Sequence, residues 1–365
     1  IQRKKRLMST TRKLTRTFGL PLAALAGLAS CDAAGALDQD RYEERVGKTE
    51  QAITDVAHTP VERQSIGNCW LYSQATWVES MALSADPTQE LDVSQSYWTY
   101  WHWFDQVTGF RVPDEIQTGG FQFKSHAIVR DRGLMVEEDF VPEDALAEMS
   151  DRQSAAKAAI NRALENGDFD NADGKKARQI FDDAWGLSPE VRAQLDQAFM
   201  EDGEGTLRQG ADLTGTKIMD PAELKVRYTE LVNGKAEVRD TNLIQAISDW
   251  EEARFPFGET RRRGFLQRIQ RALHDGQPVV ITWDVDFNAL DSSQGELRGS
   301  FNLTTLTAAG KPGGQGGHMT VLEDYAAETQ QFGLLEAGVT LDPADPQDAE
   351  KLEAALLDST EIKFL

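Results

Sequence analysis

The sequence predicts an α+β fold, helical through most of its length and stranded toward its end, and three observations carry this. From Cys69 to about residue 81, Trp70, Ser73, Trp77 and Met81 recur at helical spacing. Residues 91–104 hold aromatic residues so densely that a helix there must be buried nearly all round. Residues 277–285 and 317–325 are short β-branched or apolar runs that follow glycine-containing turns, the pattern of strands.

The chain opens on a basic stretch, residues 1–17, followed by a short apolar run, 18–30, that ends in small residues. This is the plan of a secretory signal peptide, too short to span a membrane. The run ends Leu28-Ala29-Ser30-Cys31, which resembles the lipobox of bacterial lipoproteins. That resemblance implies cleavage before Cys31, acylation of its thiol, and a lipid anchor in the membrane of a bacterial cell envelope. A plain secretory leader is the alternative. Residues 31–59 are polar, with little apolar periodicity, and are expected to be a flexible tether.

The formal net charge is −22, and residues 1–30 contribute seven basic and no acidic residues, so the rest is more acidic still. Such a surface repels nucleic acid, which is excluded as a partner. Cys31 and Cys69 are the two cysteines, and no disulfide between them is expected.

Residues 60–145 are expected to form a unit around Gln64-Ser65-Ile66-Gly67-Asn68-Cys69-Trp70. A nucleophilic thiol must be a thiolate. Cys69 in the first turn of a helix is expected to be acidified by the unpaired N–H groups and the macrodipole. The Gln64 amide, five residues upstream, is placed to join the Cys69 N–H in an oxyanion hole. His102, inside the aromatic stripe, is expected to be a core histidine. Next come Gly119-Gly120, then a helix and the extended stretch Gly133-Leu134-Met135-Val136.

Residues 146–262 turn to Ala, Glu, Asp, Lys, Arg and Gln and predict helices at 152–165, 174–184, 188–201, 221–233 and 241–253. Their acidic run 168–173 lacks the glycine and terminal glutamate of a calcium loop and reads as a solvated turn. No metal site and no cofactor are expected. Residues 263–365 begin with an amphipathic helix stopped at Gly276 and continue with the strand 277–285. The glycine-rich loop 286–316 lacks the Gly-Lys-[Ser/Thr] of a phosphate loop. Gly317-His318-Met319 then opens an apolar strand, and a last strand is expected from Glu361.

The Gln-x-x-x-Gly-x-Cys-Trp string at Gln64–Trp70 resembles the nucleophile segment of papain-like cysteine peptidases, whose signature is Cys-Gly-[Ser/Ala]-Cys-[Trp/Tyr]. Ile66 stands at the first cysteine, a disulfide partner in that family. The Ser94–Trp98 run is closest to the bleomycin hydrolase and aminopeptidase C branch. The resemblance implies a two-lobed fold. The helical left lobe is 60–145, the β-barrel-like right lobe is 263–365, and the large helical insertion is 146–262. It further implies Cys69 as nucleophile, His318 as general base and acid, Gln64 in the oxyanion hole, and Gly119, Gly120 and Gly317 lining a cleft for a peptide or protein substrate. Cys69 and His318 are 249 residues apart, where the family expects about 130–150, and the insertion supplies the difference. The family's orienting asparagine does not occur after His318, so the chain is expected to continue past Leu365. The competing expectations are a catalytically silent papain-fold surface binding or scaffold protein, and an acyltransferase using the same two residues.

Overall fold

Helix α1, Cys69–Ala85, is the centre of the structure. Its Trp70, Leu71, Ala75, Val78, Met81 and Ala82 are buried. The computed structural model describes residues 52–285 and 317–327, short of residues 61, 90, 146, 148, 201–204, 208–210, 233–234, 257–258, 275 and 323. The expected signal peptide with Cys31, the loop 286–316 and the strand expected from Glu361 lie outside the described residues.

The described elements give an α+β chain. Strand β1, Ala52–Asp55, precedes α1, and α2, Gln95–Val107, α3, Gln122–Arg132, and the single turn α4, Glu137–Phe140, follow it. Next are α5, Asp151–Glu165, α6, Gly174–Trp185, and α7, Pro189–Phe199. Strands β2, Lys225–Val232, and β3, Lys235–Asn242, lead to α8, Leu243–Ser248, and α9, Glu259–His274. Strands β4, Val279–Asp284, β5, Gly317–Leu322, and β6, Asp324–Ala327, close the order. Among the described residues the strands form three two-stranded sheets, β1–β6, β2–β3 and β4–β5, rather than the expected barrel.

Aromatic packing holds α2 in place. Tyr97, Trp98, Tyr100, Trp101, Trp103 and Phe104 are all fully buried, on every side of the helix. Ser94 caps it by accepting from the Tyr97 N–H at 2.9 Å. Trp98 donates to the Gly133 carbonyl at 2.9 Å, tying α2 to the end of α3. Gly133 has φ 72°, and a β-carbon there would meet the Met219 carbonyl at 2.6 Å, so glycine is required twice over.

The block expected as an insertion shares this core. Tyr100 meets Phe181 of α6 edge-on at 5.6 Å, and Trp101 meets Phe199 of α7 at 4.7 Å. One apolar cluster runs from Trp70 to Ala246 and takes in Met319 of β5. The acidic turn 168–173 ends as a helix cap, Asp173 accepting from the Lys176 N–H at 2.8 Å.

Three expectations are corrected. The helix expected at 221–233 is β2, paired in antiparallel register with β3 from Lys225↔Asn242 to Val232↔Lys235. Val226 and Tyr228 are buried while Lys225 and Arg227 are exposed, a period of two. The helix expected at 241–253 is the short α8, capped by Asn242. The expected tether is interrupted by β1, which pairs with β6, and Val56 beyond it is buried against Leu273 and Leu322.

A buried polar tie fixes the start of α1. The Asn68 amide donates to Thr99 Oγ1 of α2 at 3.0 Å and to Gln153 Oε1 of α5 at 2.9 Å. Gln153 in turn donates to Ser96 Oγ at 3.1 Å and to the Tyr72 hydroxyl at 3.3 Å. Removing the amide leaves buried acceptors unpaired. Asn68→Ala is expected to cost about 1–3 kcal/mol in urea unfolding, and Asn68→Asp, which points a carboxylate at the same acceptors, more.

Glu79 of α1 is buried, accepting from Thr59 Oγ1 and from the Val93 N–H at 2.7 Å. Burial, with Glu62 and Asp92 nearby, outweighs those bonds and pushes its carboxyl up to about 8. Burial and Asp92 push Glu62 up to about 7. A carboxyl raised in the folded state binds its proton more tightly there than in the unfolded chain. Its stabilising contribution is complete at acid pH and is lost as pH rises through the raised value. Urea midpoints are therefore expected to fall between about pH 5 and pH 9, and Glu79→Gln to flatten the upper part of that decline.

Candidate active site

Cys69 is the first residue of α1, and a bend at 65–67 leads into it from Gln64. The Asn68 N–H donates to the Ile66 carbonyl at 2.9 Å, and the Leu71 N–H to the Asn68 carbonyl at 2.9 Å. The side chain of Asn68 does not cap the helix, being held in the interior. The Cys69 and Trp70 N–H groups consequently stay open toward the sulfur.

Trp70 fixes the other wall. Its indole N–H donates to the Thr118 carbonyl at 2.9 Å. Its ring lies so close over Gly120 that a β-carbon there would sit 2.3 Å from Trp70 Cε2. A β-carbon on Gly67 would meet Thr118 Oγ1 at 2.9 Å. Gly119, by contrast, is exposed and has open space beside it. Of the glycine pair, Gly120 is required by packing, and Gly119 leaves a bare stretch of backbone facing solvent.

Strand β5 brings in His318. It pairs antiparallel with β4, which sets His318 opposite Trp283, their rings 5.9 Å apart and edge-on. Gly317 is exposed at the strand's start. Met319, Thr320, Val321 and Leu322 are buried. The backbone of Met319, one residue past His318, lies near the Cys69 sulfur and, with the N–H groups of Trp70 and of Cys69 itself, favours its charged form.

Gln64, Cys69, His318 and Met319 line one cavity of about 1080 Å³. Gly119, Gly120 and Gly317 do not line it. The face of α1 that borders it carries Cys69, Tyr72, Ser73, Thr76, Glu79 and Leu83, so the cavity follows the helix from its first turn to its last.

The electrostatics differ from the expectation of an acidified thiol. Burial pushes the Cys69 thiol up, and it outweighs the three backbone groups that pull the other way. Burial pulls His318 down. Both shifts favour the uncharged thiol and the uncharged imidazole, and among the described residues no hydrogen bond joins the two. His102 is a core histidine, as expected. It packs edge-on to Trp70 at 4.9 Å, its Nε2 lies 3.1 Å from the Gln117 carbonyl, and burial takes it down to about 3.

Several residues of the cavity carry no sequence signal of their own. Glu62, Glu79 and Asp92 all border it, and burial raises all three. Glu79 was accessible to helical spacing, since it lies ten residues after Cys69 on the same face of α1. The Met319 N–H had no such signal, because a backbone group is invisible to residue-type reasoning. Among the described residues no group of histidine, cysteine and carboxylate side chains could hold a metal ion, and no helix is long and apolar enough to cross a membrane.

No protein-family model matches the chain, and no curated protein matches it.

Proposed function

We propose that the chain is a papain-like cysteine-type peptidase that hydrolyses peptide bonds through Cys69 and His318. The observation that carries this reading is the meeting of Gln64, Cys69 and His318 on one cavity, from positions up to 254 residues apart. A thiol, an imidazole and an amide donor on one cavity are the residue types that acyl transfer uses.

The chemistry follows from the neutral pair. A substrate carbonyl enters the cavity beside the sulfur and excludes water. His318 takes the thiol proton as Sγ attacks the carbonyl carbon, so the thiolate exists only with substrate bound. The Cys69 N–H and the Gln64 amide hold the oxyanion. The imidazolium then protonates the leaving amine. In the second half His318 takes a proton from water, whose oxygen displaces the sulfur and releases the acid.

The second reading, a binding protein of the same fold without turnover, is favoured by one observation: no bond joins Cys69 to His318 in the resting structure. A thiol-directed peptidyl epoxide separates the two. A peptidase activates its thiol when the peptide part binds, so at neutral pH the epoxide should label Cys69 far faster than iodoacetamide does. His318→Ala should slow that labelling by roughly 10²-fold or more. Equal rates for the two reagents would favour the binding protein. Simple alkylation of the resting enzyme should rise with pH through a midpoint above that of an ordinary thiol, about 8.5.

The leader and Cys31 are proposed to anchor the protein in a bacterial envelope, on the Leu28-Ala29-Ser30-Cys31 string alone. Fractionation is expected to find the wild type with membranes and Cys31→Ser soluble or unprocessed. A wild type that is soluble from the start means an ordinary secretory leader.

A further inference from the structure

Beside the cavity lies a small recess of about 10 Å³, room for one water molecule or one ammonium head. Glu62, Glu137 and Asp144 line it with the hydroxyl-bearing Tyr72, Ser96 and Ser150. Glu62 and Tyr72 border the large cavity too, so the recess adjoins it. Tyr72, three residues after Cys69 on α1, borders both the recess and the cavity that Cys69 lines.

Glu137 is the decisive group. It is only 2 % exposed, and its Oε1 is buried with no hydrogen-bond partner. Burial holds its carboxyl well above the usual range, with Ser94 acting in the opposite direction. A buried carboxylate oxygen without a donor is costly unless something fills the space in front of it. The other lining groups are already engaged. Asp144 accepts from Ser150 and, at 3.4 Å, from Ser96, and Glu62 is bonded to Gln95.

Acidic groups dominate the lining, and burial holds them toward their protonated forms. Asp92 acts on both Glu62 and Glu137. Against this, Arg152 lies near Asp144 but is shared with Glu143 at 3.3 Å. Arg63 borders the recess, is exposed, and makes no ion pair among the described residues. A lining of carboxyls with one unpartnered oxygen suits a donor with positive charge.

A divalent metal does not fit, because no three acidic side chains among the described residues converge closely enough to hold one. A guanidinium, planar with five donors, is larger than the recess. An ammonium on a four-carbon stem fits: it is compact, carries three donors, and bonds at about 2.7–2.9 Å rather than at metal distances.

We infer that the recess receives the ammonium of a substrate lysine, and that the Cys69 site therefore prefers peptides with lysine beside the bond it attacks. This rests on the peptidase reading for its catalytic half, but the binding half does not. An ammonium in the recess would also draw protons off the raised carboxyls, so lysine binding should strengthen as pH rises toward neutrality.

The test uses matched peptides that differ in one residue: lysine, norleucine (the same stem without nitrogen), or arginine. Binding is measured on the full chain carrying Cys69→Ala. Lysine is expected to bind roughly tenfold or more tighter than norleucine, the scale of a charge-assisted hydrogen bond. That ratio should approach one in Glu137→Gln and shrink in Glu62→Gln, and in the unsubstituted recess it should grow between about pH 5.5 and pH 7.5. Equal binding of lysine and norleucine, no binding of either, or a preference for arginine overturns the inference. Turnover is measured in parallel on the wild type. Cleavage without a lysine preference overturns the recess and leaves the peptidase standing. A lysine preference in binding with no cleavage overturns the peptidase and leaves the recess standing.

Discussion

The packing of the Trp70 ring on Gly120 is the contact on which the candidate site depends. It sets α1 against the segment 118–120, and with it the direction in which the first turn of α1 opens. Asn68 completes the constraint from the other side by anchoring the preceding residue to α2 and α5. Cys69 lies between these two fixed neighbours. Its position follows from an aromatic face and a buried amide, neither of which takes part in chemistry.

The same burial that fixes the thiol also suppresses its charge. The backbone of Cys69, Trp70 and Met319 near the sulfur favours a thiolate, and removal from water disfavours it by more. The carboxyls around the cavity show the same balance. Glu79 accepts two hydrogen bonds and still rises to about 8. The resting cavity is thus less charged than its residue types suggest, and its electrostatics depend on what enters it.

The helices were legible because each has a strong local signature. Trp70, Trp77 and Met81 mark the period of α1, the aromatic run marks α2, and Ser150, Asp173 and Ser188 stand one residue before α5, α6 and α7 as caps. The hairpin of β2 and β3 was hidden by its charge. Its alternation of Val226 and Tyr228 with Lys225 and Arg227 is short, and the glutamates and lysines around it favour helix by propensity. The Asn233-Gly234 pair between the strands was the available signal for a tight turn. In the site, Gln64, Cys69 and His318 were legible by type and spacing. The raised thiol was not, because it depends on β5 covering the sulfur, a contact across 250 residues of sequence. Glu137 was not either, because its orphaned oxygen exists only once α2 and α4 have closed around it.

The approach of Met319 to the Cys69 sulfur is made by the main chain of a strand, so no side-chain replacement can delete it. What can delete it is a change of register. Successive side chains on a strand point to opposite faces, and a slip of β5 by one residue against β4 would exchange the faces of His318 and Met319. Cys69 and His318 are thus brought to one cavity by the ladder of backbone bonds between β4 and β5. Extra length between β4 and β5 costs little, since loop entropy grows slowly. One inserted residue within β5 would disable the site while leaving its whole inventory of residues intact.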